Sequence, residues 1–141
     1  MANSIRLEVI TPERLFYDGE IEMVIVRTLN GDEAFMANHA WACKLLATGE
    51  LWIQEKGSKD YRIAALSGGY VDVQDTIVIF ADSAEWPEEI DAERAQIAKE
   101  RAEFSLNASP KDDLEIRLAK VAIEKALTRI HVKDGGYRRK R

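Results

Sequence analysis

A change of residue pattern at Trp86-Pro87 divides this sequence into two parts that cannot share one kind of secondary structure. Before it, apolar residues alternate with a period of two or form short β-branched runs, and turns rich in glycine, asparagine and aspartate separate these runs. After it, no glycine occurs before Gly135, and alanine, glutamate, lysine and arginine dominate. The sequence therefore predicts an all-β region followed by helices.

Eight strands are predicted in the β region, separated by turns such as Asp18-Gly19 and Asn30-Gly31-Asp32. They are expected at 5–10, 21–28, 33–36, 43–46, 51–55, 61–66, 70–74 and 76–81. The connections are too short for helical crossovers, so we expect hairpins, including one at Ser67-Gly68-Gly69. The predicted architecture of residues 1–85 is an antiparallel β-sandwich of two sheets, or a flattened barrel.

Residues 86–133 are predicted to form an antiparallel α-helical hairpin. The first helix is expected to begin around Pro87, because proline fits the opening turn of a helix, and to end at 107–110. The second helix is expected to have Ser109 as its cap and Pro110 at its first position, and to run to about Val132. Residues 134–141 carry the basic stretch 137–141 and are expected to be a disordered tail.

The apolar periodicity of these helices predicts the seams along which they pack. On the first helix the seam residues recur every seven positions, at Ile90, Ile97 and Phe104. On the second they follow a three-four rhythm, at Ile116, Ala119, Ile123, Ala126 and Ile130.

The composition excludes several classes of protein. The formal net charge is −5, from 20 Lys and Arg against 25 Asp and Glu, so no global positive field attracts nucleic acid. No apolar run is long enough to cross a bilayer, and the polar start lacks a signal peptide's apolar centre, so we expect a cytoplasmic protein. One cysteine and two histidines favour neither a metal site nor a nucleophilic centre, and the common catalytic motifs are absent. We therefore predict a protein that is not an enzyme.

One stripe of the predicted first helix combines charge with alanine. At about 100° per residue, Asp91, Arg94, Ala98 and Arg101 fall on one face. An arginine can grip phosphate, a carboxylate can accept a hydrogen bond from a ribose hydroxyl or exocyclic amine, and alanine lets a planar base approach. The pattern also fits an exposed ion pair with alanines that favour helix formation. Both a nucleotide site and a solvated helix face stay open.

Three stretches of the sequence are distinctive: residues 67–73 read Ser-Gly-Gly-Tyr-Val-Asp-Val, residues 81–85 read Ala-Asp-Ser-Ala-Glu, and residues 90–95 read Ile-Asp-Ala-Glu-Arg-Ala. Together they resemble the epsilon subunit of bacterial F-type ATP synthases. The resemblance covers nearly the whole chain, and it implies a non-catalytic subunit of the rotary central stalk at the cytoplasmic face of the bacterial plasma membrane. The sandwich would bind the gamma subunit and the loops of the membrane c-ring.

The resemblance also implies a regulatory role for the hairpin. It would either fold onto the sandwich or extend along gamma to the catalytic alpha and beta subunits and inhibit ATP hydrolysis, with ATP as a regulatory ligand and no required cofactor. The implied ATP-binding residues are Glu85, Ile90, Asp91, Arg94, Ala95, Arg101, Lys125 and Arg129. Lys125 stands where nucleotide-binding relatives often carry arginine, and Leu118 replaces another frequent basic position. Both differences lower the expected affinity for ATP.

The implied c-ring contacts are Asp32, His39 and Ala40. In the surrounding segment 33–44 the chain departs from the family, because Ala34 replaces a glycine and Ala37 and Trp41 replace prolines. These changes remove turn constraints from the expected docking loop.

Two alternatives to an ATP-regulated stalk subunit remain at this point. The chain could be a structural stalk subunit that does not bind ATP, or a free-standing ATP-sensing module. The sequence does not identify the coupling ion, which could be the proton or sodium.

Overall fold

The computed structural model describes residues 3–108 and 112–135. The nine strands are β1 (Ile5–Ile10), β2 (Leu15–Thr28), β3 (Gly31–Met36), β4 (Ala42–Leu45), β5 (Gly49–Glu55), β6 (Tyr61–Ser67), β7 (Tyr70–Val73), β8 (Thr76–Phe80) and β9 (Ser83–Glu85). A 3₁₀ helix (Pro87–Glu89) and the helices α1 (Ala92–Asn107) and α2 (Asp113–Lys133) follow. The predicted order, a mainly β region and then a helical hairpin, is confirmed.

The β-sandwich is one continuous hydrogen-bonded sheet because its long strand β2 serves both halves. The order is β4-β7-β8-β1-β2-β5-β6-β9, with β3 also paired to β2. The part of β2 up to Ile21 pairs with β1, and the part from Ile21 to Thr28 pairs with β3 and β5. One core lies between the halves, since residues such as Leu7, Val71 and Ile53 are fully buried in a single cluster.

One strand pairing and one connection differ from the predicted antiparallel hairpins. Strand β1 pairs in parallel with β8, with Leu7 opposite Ile77. Strands β6 and β7 do not pair with each other, so Gly68-Gly69 passes between the two halves and is not a hairpin turn. Gly69 has a φ of 106°, and a Cβ there would lie 1.8 Å from the Phe80 carbonyl oxygen. The backbone therefore requires glycine at this crossing.

The predicted start of the first helix is wrong by five residues. Residues from Pro87 form a 3₁₀ turn, Ile90 and Asp91 are extended, and α1 begins at Ala92 with Asp91 as its N-cap. Asp112 caps α2, and the predicted cap Ser109 and first-turn Pro110 lie outside the described residues. Asp134 ends α2, and Gly135 follows with a φ of 100°. The remainder of the predicted tail, 136–141, also lies outside the described residues.

The predicted seam of the first helix is also wrong. Ile97 and Phe104 are 45% and 78% exposed. The buried residues of α1 are Ala95 and Ala102, and those of α2 are Ala119, Ala126 and Val132. Because α1 makes most of its contacts with α2, small residues form the interface between the helices and permit close approach.

Trp86 holds the connection between sandwich and hairpin in place. Its ring stacks on Phe16 with centroids 4.3 Å apart, and the Arg62 guanidinium carbon lies 4.0 Å from the Trp86 ring centroid. Three residues later, Glu89 Oε1 accepts hydrogen bonds from Arg14 Nη2 at 2.8 Å and from the Trp86 amide at 2.9 Å. These two donors hold the pKa of the Glu89 carboxyl below its ordinary value. Residues 83–89 are thus fastened to the sandwich.

The hairpin contacts the sandwich over a small area. A cluster of Ala65, Ile90 and Val132, with Ile63 packed against it, is separate from the main core. Helix α2 contacts β5, β6 and the 3₁₀ helix. Lys133 Nζ also donates to the Pro87 carbonyl oxygen at 3.0 Å.

We predict that Trp86→Ala lowers the free energy of unfolding of the full chain by about 2 to 3 kcal/mol, because it removes a half-buried ring, its stacking and its cation–π contact. Urea unfolding followed by circular dichroism measures the change. Trp41→Ala is the matched control, since Trp41 is 69% exposed and should change stability by less than about 0.5 kcal/mol. Equal effects of the two substitutions would contradict the role assigned to Trp86.

Candidate functional site

The Ile90–Ala95 motif forms the entry to α1. Ile90 is buried against the sandwich, and the Asp91 side chain accepts a hydrogen bond from the Arg94 amide at 3.1 Å. Aspartate is a favoured N-cap because it satisfies an otherwise unpaired amide and complements the positive end of the helix dipole. Asp91 therefore precedes the helix and does not lie on its stripe, although its second carboxylate oxygen stays available to a ligand.

Ala98 of the stripe and its neighbour Ala95 have different environments. Ala95 is 3% exposed and belongs to the contact with α2, whereas Ala98 is exposed. Close helix packing explains the spacing of Ala95 and Ala102. Ala98 takes no part in this packing, so helix propensity is the reason that remains for an alanine at that position.

Arg94 and Arg101 lie seven residues apart on α1, and both are exposed. Within residues 3–108 and 112–135, neither guanidinium forms an ion pair or a hydrogen bond. Two arginine forks on one helix face can together bind an anionic group.

Three further predicted residues come together where α2 meets β9. Arg129 Nε and Glu85 Oε1 are 2.5 Å apart, and both side chains are about one-third exposed, at 35% and 30%. Lys125 lines a cavity of about 10 Å³ together with both of them. That volume holds about one water molecule, so these residues do not enclose a nucleotide-sized pocket in this conformation.

Arg129 and Glu85 also line a larger open cleft of about 490 Å³. Its other wall carries Arg14 and Glu89, the pair that fastens residues 83–89 to the sandwich. Neither cavity lined by Arg129 includes Arg94 or Arg101, so the predicted site residues form two groups. The sequence prediction missed Arg14 and Glu89, which are 75 residues apart. Trp86, the large aromatic at the pattern change, was the available signal that this junction is fixed.

The predicted c-ring residues are spread along β3. Asp32 pairs with Arg27, with Oδ1 and Nε 2.5 Å apart, next to the β2–β3 turn. His39 and Ala40 follow the other end of β3, and four residue steps from Asp32 to Met36 span about 13 Å. The His39 ring contacts Phe35 edge-on, with centroids 4.9 Å apart.

The loop after β3 exposes a large aromatic residue. Asn38 has a φ of 66°, and His39 Nδ1 lies 2.7 Å from the Ala40 carbonyl oxygen. Ala40 is exposed, and Trp41, which follows it, is 69% exposed. This end of the sandwich therefore presents apolar surface that no described residue covers.

The part of the chain that the structure describes contains neither a metal-binding cluster nor a membrane-spanning helix. No group of three or more His, Cys, Asp or Glu side chains there is arranged to hold a metal ion. No described helix is long and apolar enough to span a membrane.

Two family models together match almost the entire chain. The ATP synthase delta/epsilon chain β-sandwich domain matches residues 4–87, and the ATP synthase delta/epsilon chain long α-helix domain matches residues 88–134.

Curated relatives carry the name ATP synthase epsilon chain. One from Alkaliphilus oremlandii is 48% identical over 110 residues, which cover 77% of this chain and 81% of the relative. One from Clostridium novyi is 40% identical over 134 residues, which cover 94% of this chain and 99% of the relative.

A solved structure of the Euglena gracilis mitochondrial ATP synthase contains a chain with the same fold. The TM-score is 0.79 at 24% sequence identity, over 91% of this chain and 80% of that one. The two family models and the curated relatives support assignment of the chain to a family and not only to a fold. The chain belongs to the epsilon-chain family of F-type ATP synthases, whose members are non-catalytic subunits of the central stalk.

Proposed function

We propose that this chain couples the rotor to the catalytic head and regulates ATP hydrolysis through its helical hairpin. The sandwich binds gamma and the c-ring, and the subunit lies peripherally at the cytoplasmic face of the bacterial plasma membrane. A Tetrahymena thermophila neighbour with a TM-score of 0.66 comes from a structure of a central stalk and c-ring, which is consistent with these partners. The observation that carries the regulatory part is the small contact between hairpin and sandwich.

That contact consists of a few weak interactions. The apolar cluster contains Ala65, Ile90 and Val132 with Ile63 packed against them. The Arg129–Glu85 pair is partly exposed. An exposed ion pair contributes about 0 to 1 kcal/mol. Release of the hairpin therefore leaves the sandwich core intact, because residues 83–89 keep their own contacts with the sandwich. Such a two-state element responds to any ligand that prefers one state.

ATP is the ligand we propose for the folded state. Four cations, Arg94, Arg101, Lys125 and Arg129, lie on the two helices and can neutralise phosphates, Arg129 by exchanging its pair with Glu85 for the ligand. Asp91 and Glu85 supply carboxylates for the ribose or base, and Ile90 and Ala95 supply apolar contacts. Because the cavity at Arg129 is small, binding requires α1 and α2 to shift and bring the two groups of residues together. Lys125 and Leu118 reduce the affinity.

The c-ring contact is proposed for the end of the sandwich that carries His39 and Ala40. The exposed Trp41 beside them extends this surface. Asp32, which pairs with Arg27 at the other end of β3, is a second contact point along the same edge strand.

We predict that the isolated chain binds ATP at one site, more tightly than ADP. Arg94→Ala should weaken ATP binding by about 1.5 to 3 kcal/mol, the range for hydrogen bonds to charged groups. Glu93→Ala is the matched control, because the neighbouring exposed residue points elsewhere on α1. Isothermal titration calorimetry at millimolar ATP measures the affinities of both variants. Absence of saturable heat in the unsubstituted chain would instead support a structural stalk subunit that does not bind ATP.

We predict that a chain ending at Ile90 assembles into the complex and raises its ATP hydrolysis, since only the hairpin is proposed to reach the alpha and beta subunits. Ending at Ile90 keeps Trp86 and Glu89, so that the sandwich stays fully braced. Steady-state ATPase assays on purified complexes compare it with the full chain. Unchanged hydrolysis with normal assembly would argue against inhibition by the hairpin.

Copurification separates the stalk subunit from a free-standing ATP sensor. Full-length chain should copurify with gamma and with the c-ring, and His39→Ala combined with Trp41→Ala should reduce retention of the c-ring while gamma remains bound. A chain that binds ATP but neither partner would be a free-standing sensor.

A further inference from the structure

The turn between β2 and β3 presents an asparagine that is followed directly by glycine. Strand β2 ends at Thr28 and β3 begins at Gly31, so Leu29 and Asn30 form the connection. Leu29 is 67% exposed, and Asn30 is also exposed. The chain has asparagine at positions 3, 30, 38 and 107, and Asn30 is the one that precedes glycine. The Asn30 side chain therefore lies in solvent at the tip of a hairpin.

The side-chain amide of Asn30 takes no part in holding this turn. The Thr28 hydroxyl does so, because its Oγ1 accepts a hydrogen bond from the Asn30 backbone N–H at 3.1 Å and donates one to the Gly31 carbonyl oxygen at 2.8 Å. Asparagine in a turn commonly bonds to nearby backbone groups. Within residues 3–108 and 112–135, the Asn30 carboxamide forms no such bond. Its Cγ is therefore free to rotate toward the next backbone nitrogen.

Gly31 leaves that backbone nitrogen open. Its φ is 109°, and a Cβ at this position would meet no described atom within 4 Å. Because glycine has no Cβ and adopts positive and negative φ about equally, the backbone can turn its nitrogen toward the preceding side chain at little steric cost. The Asn30 Cγ and the Gly31 nitrogen can thus close a five-membered ring.

We propose that Asn30 is a site of spontaneous deamidation. The Gly31 amide nitrogen loses its proton and attacks the Asn30 Cγ, so that an N–Cγ bond forms. The Cγ–Nδ2 bond breaks, and the side-chain nitrogen takes up a proton and leaves as ammonia. Water then opens the cyclic imide at one of its two carbonyl groups and gives aspartate or isoaspartate. Water is the only co-reactant, because no atom is oxidised or reduced.

Either product changes the hairpin that carries β3. Each adds a negative charge, and isoaspartate also adds a methylene to the main-chain path ahead of Gly31. The register, which runs from Thr28 opposite Gly31 to Met23 opposite Met36, depends on the length of that path. Among the described strands β3 pairs with β2 alone, and it carries the fully buried Phe35. We therefore expect isoaspartate at position 30 to destabilise β3.

This chemistry belongs to the isolated chain and requires neither ATP nor a partner subunit. It rests on the proposed function only for one consequence, which is that a displaced β3 would weaken the c-ring contact proposed for Asp32. Deamidation and c-ring binding are measured separately, so either idea can fail without the other.

The experiment follows Asn30 in the isolated, folded full chain at pH 7 and pH 8. Trypsin cleaves after Arg27 and Lys44, so one peptide, 28–44, contains both Asn30 and Asn38, and tandem mass spectrometry distinguishes the two positions. We expect Asn30 to be converted about tenfold faster than Asn38, which precedes histidine, because a side chain on the following residue crowds the attacking nitrogen. Conversion should be faster at pH 8, since the Gly31 amide must lose its proton.

Two variants separate the reaction from its effect on the fold. Asn30→Gln should abolish the conversion, because its longer side chain must close a six-membered ring. Asn30→Asp supplies the charge without the added methylene. Ion exchange isolates the more acidic, isoaspartate-containing fraction of the aged chain, and urea unfolding compares it with Asn30→Asp. The isoaspartate fraction should unfold at a lower urea concentration.

Conversion of Asn30 that is no faster than conversion of Asn38 would overturn the proposal. So would conversion that occurs only in a chain denatured by urea, because the folded hairpin would then protect the amide. Equal unfolding of the isoaspartate fraction and of Asn30→Asp would overturn the expected effect on β3. A chain that converts Asn30 but does not bind the c-ring would support deamidation and remove the c-ring assignment.

Discussion

The placement of Trp86 between Phe16 and the Arg62 guanidinium is the contact on which the arrangement of the two parts depends. It fixes the chain just after β9 and just before the hairpin, so that Glu85 faces α2 and Ile90 enters the small apolar cluster. The Arg14–Glu89 pair repeats this restraint three residues later. The connection that leads into the hairpin is therefore held at two points.

The hairpin combines strong internal packing with weak external contact. Ala95 and Ala102 let α1 lie close to α2, and α2 alone carries most of the contact with the sandwich. The two helices therefore form one packed unit that meets the sandwich chiefly through α2. Arg94 and Arg101 lie on the exposed side of that unit.

The sequence predicted the strands well because alternation and turn residues are local signals. It failed where distant residues decide the structure. The parallel pairing of β1 with β8 depends on the core that both strands cover, and β9 is too short for a periodic pattern. Ile97 and Phe104 have the spacing of a buried seam, yet they are exposed. Alanines occupy the interface between α1 and α2 because small residues allow the helices to approach more closely.

The residues of the candidate site were predicted from the family resemblance. Their geometry could not be predicted from the sequence. Sequence spacing gave no indication that Asp91 precedes the helix as its cap, since the pattern from Pro87 onward is compatible with an uninterrupted helix. The meeting of Arg129 with Glu85, 44 residues earlier in the chain, depends on how α2 docks.

The position of β1 between β2 and β8 also determines the order in which the chain can fold. Strand β2 follows β1 closely in the sequence, but the other neighbour of β1, strand β8, is about 70 residues later. Closing so long a loop costs entropy before the contacts of the core can offset that cost. We therefore expect the sandwich to be completed late and slowly. The hairpin, built from contacts close in sequence, can form quickly, and it must wait for a finished sheet on which to dock.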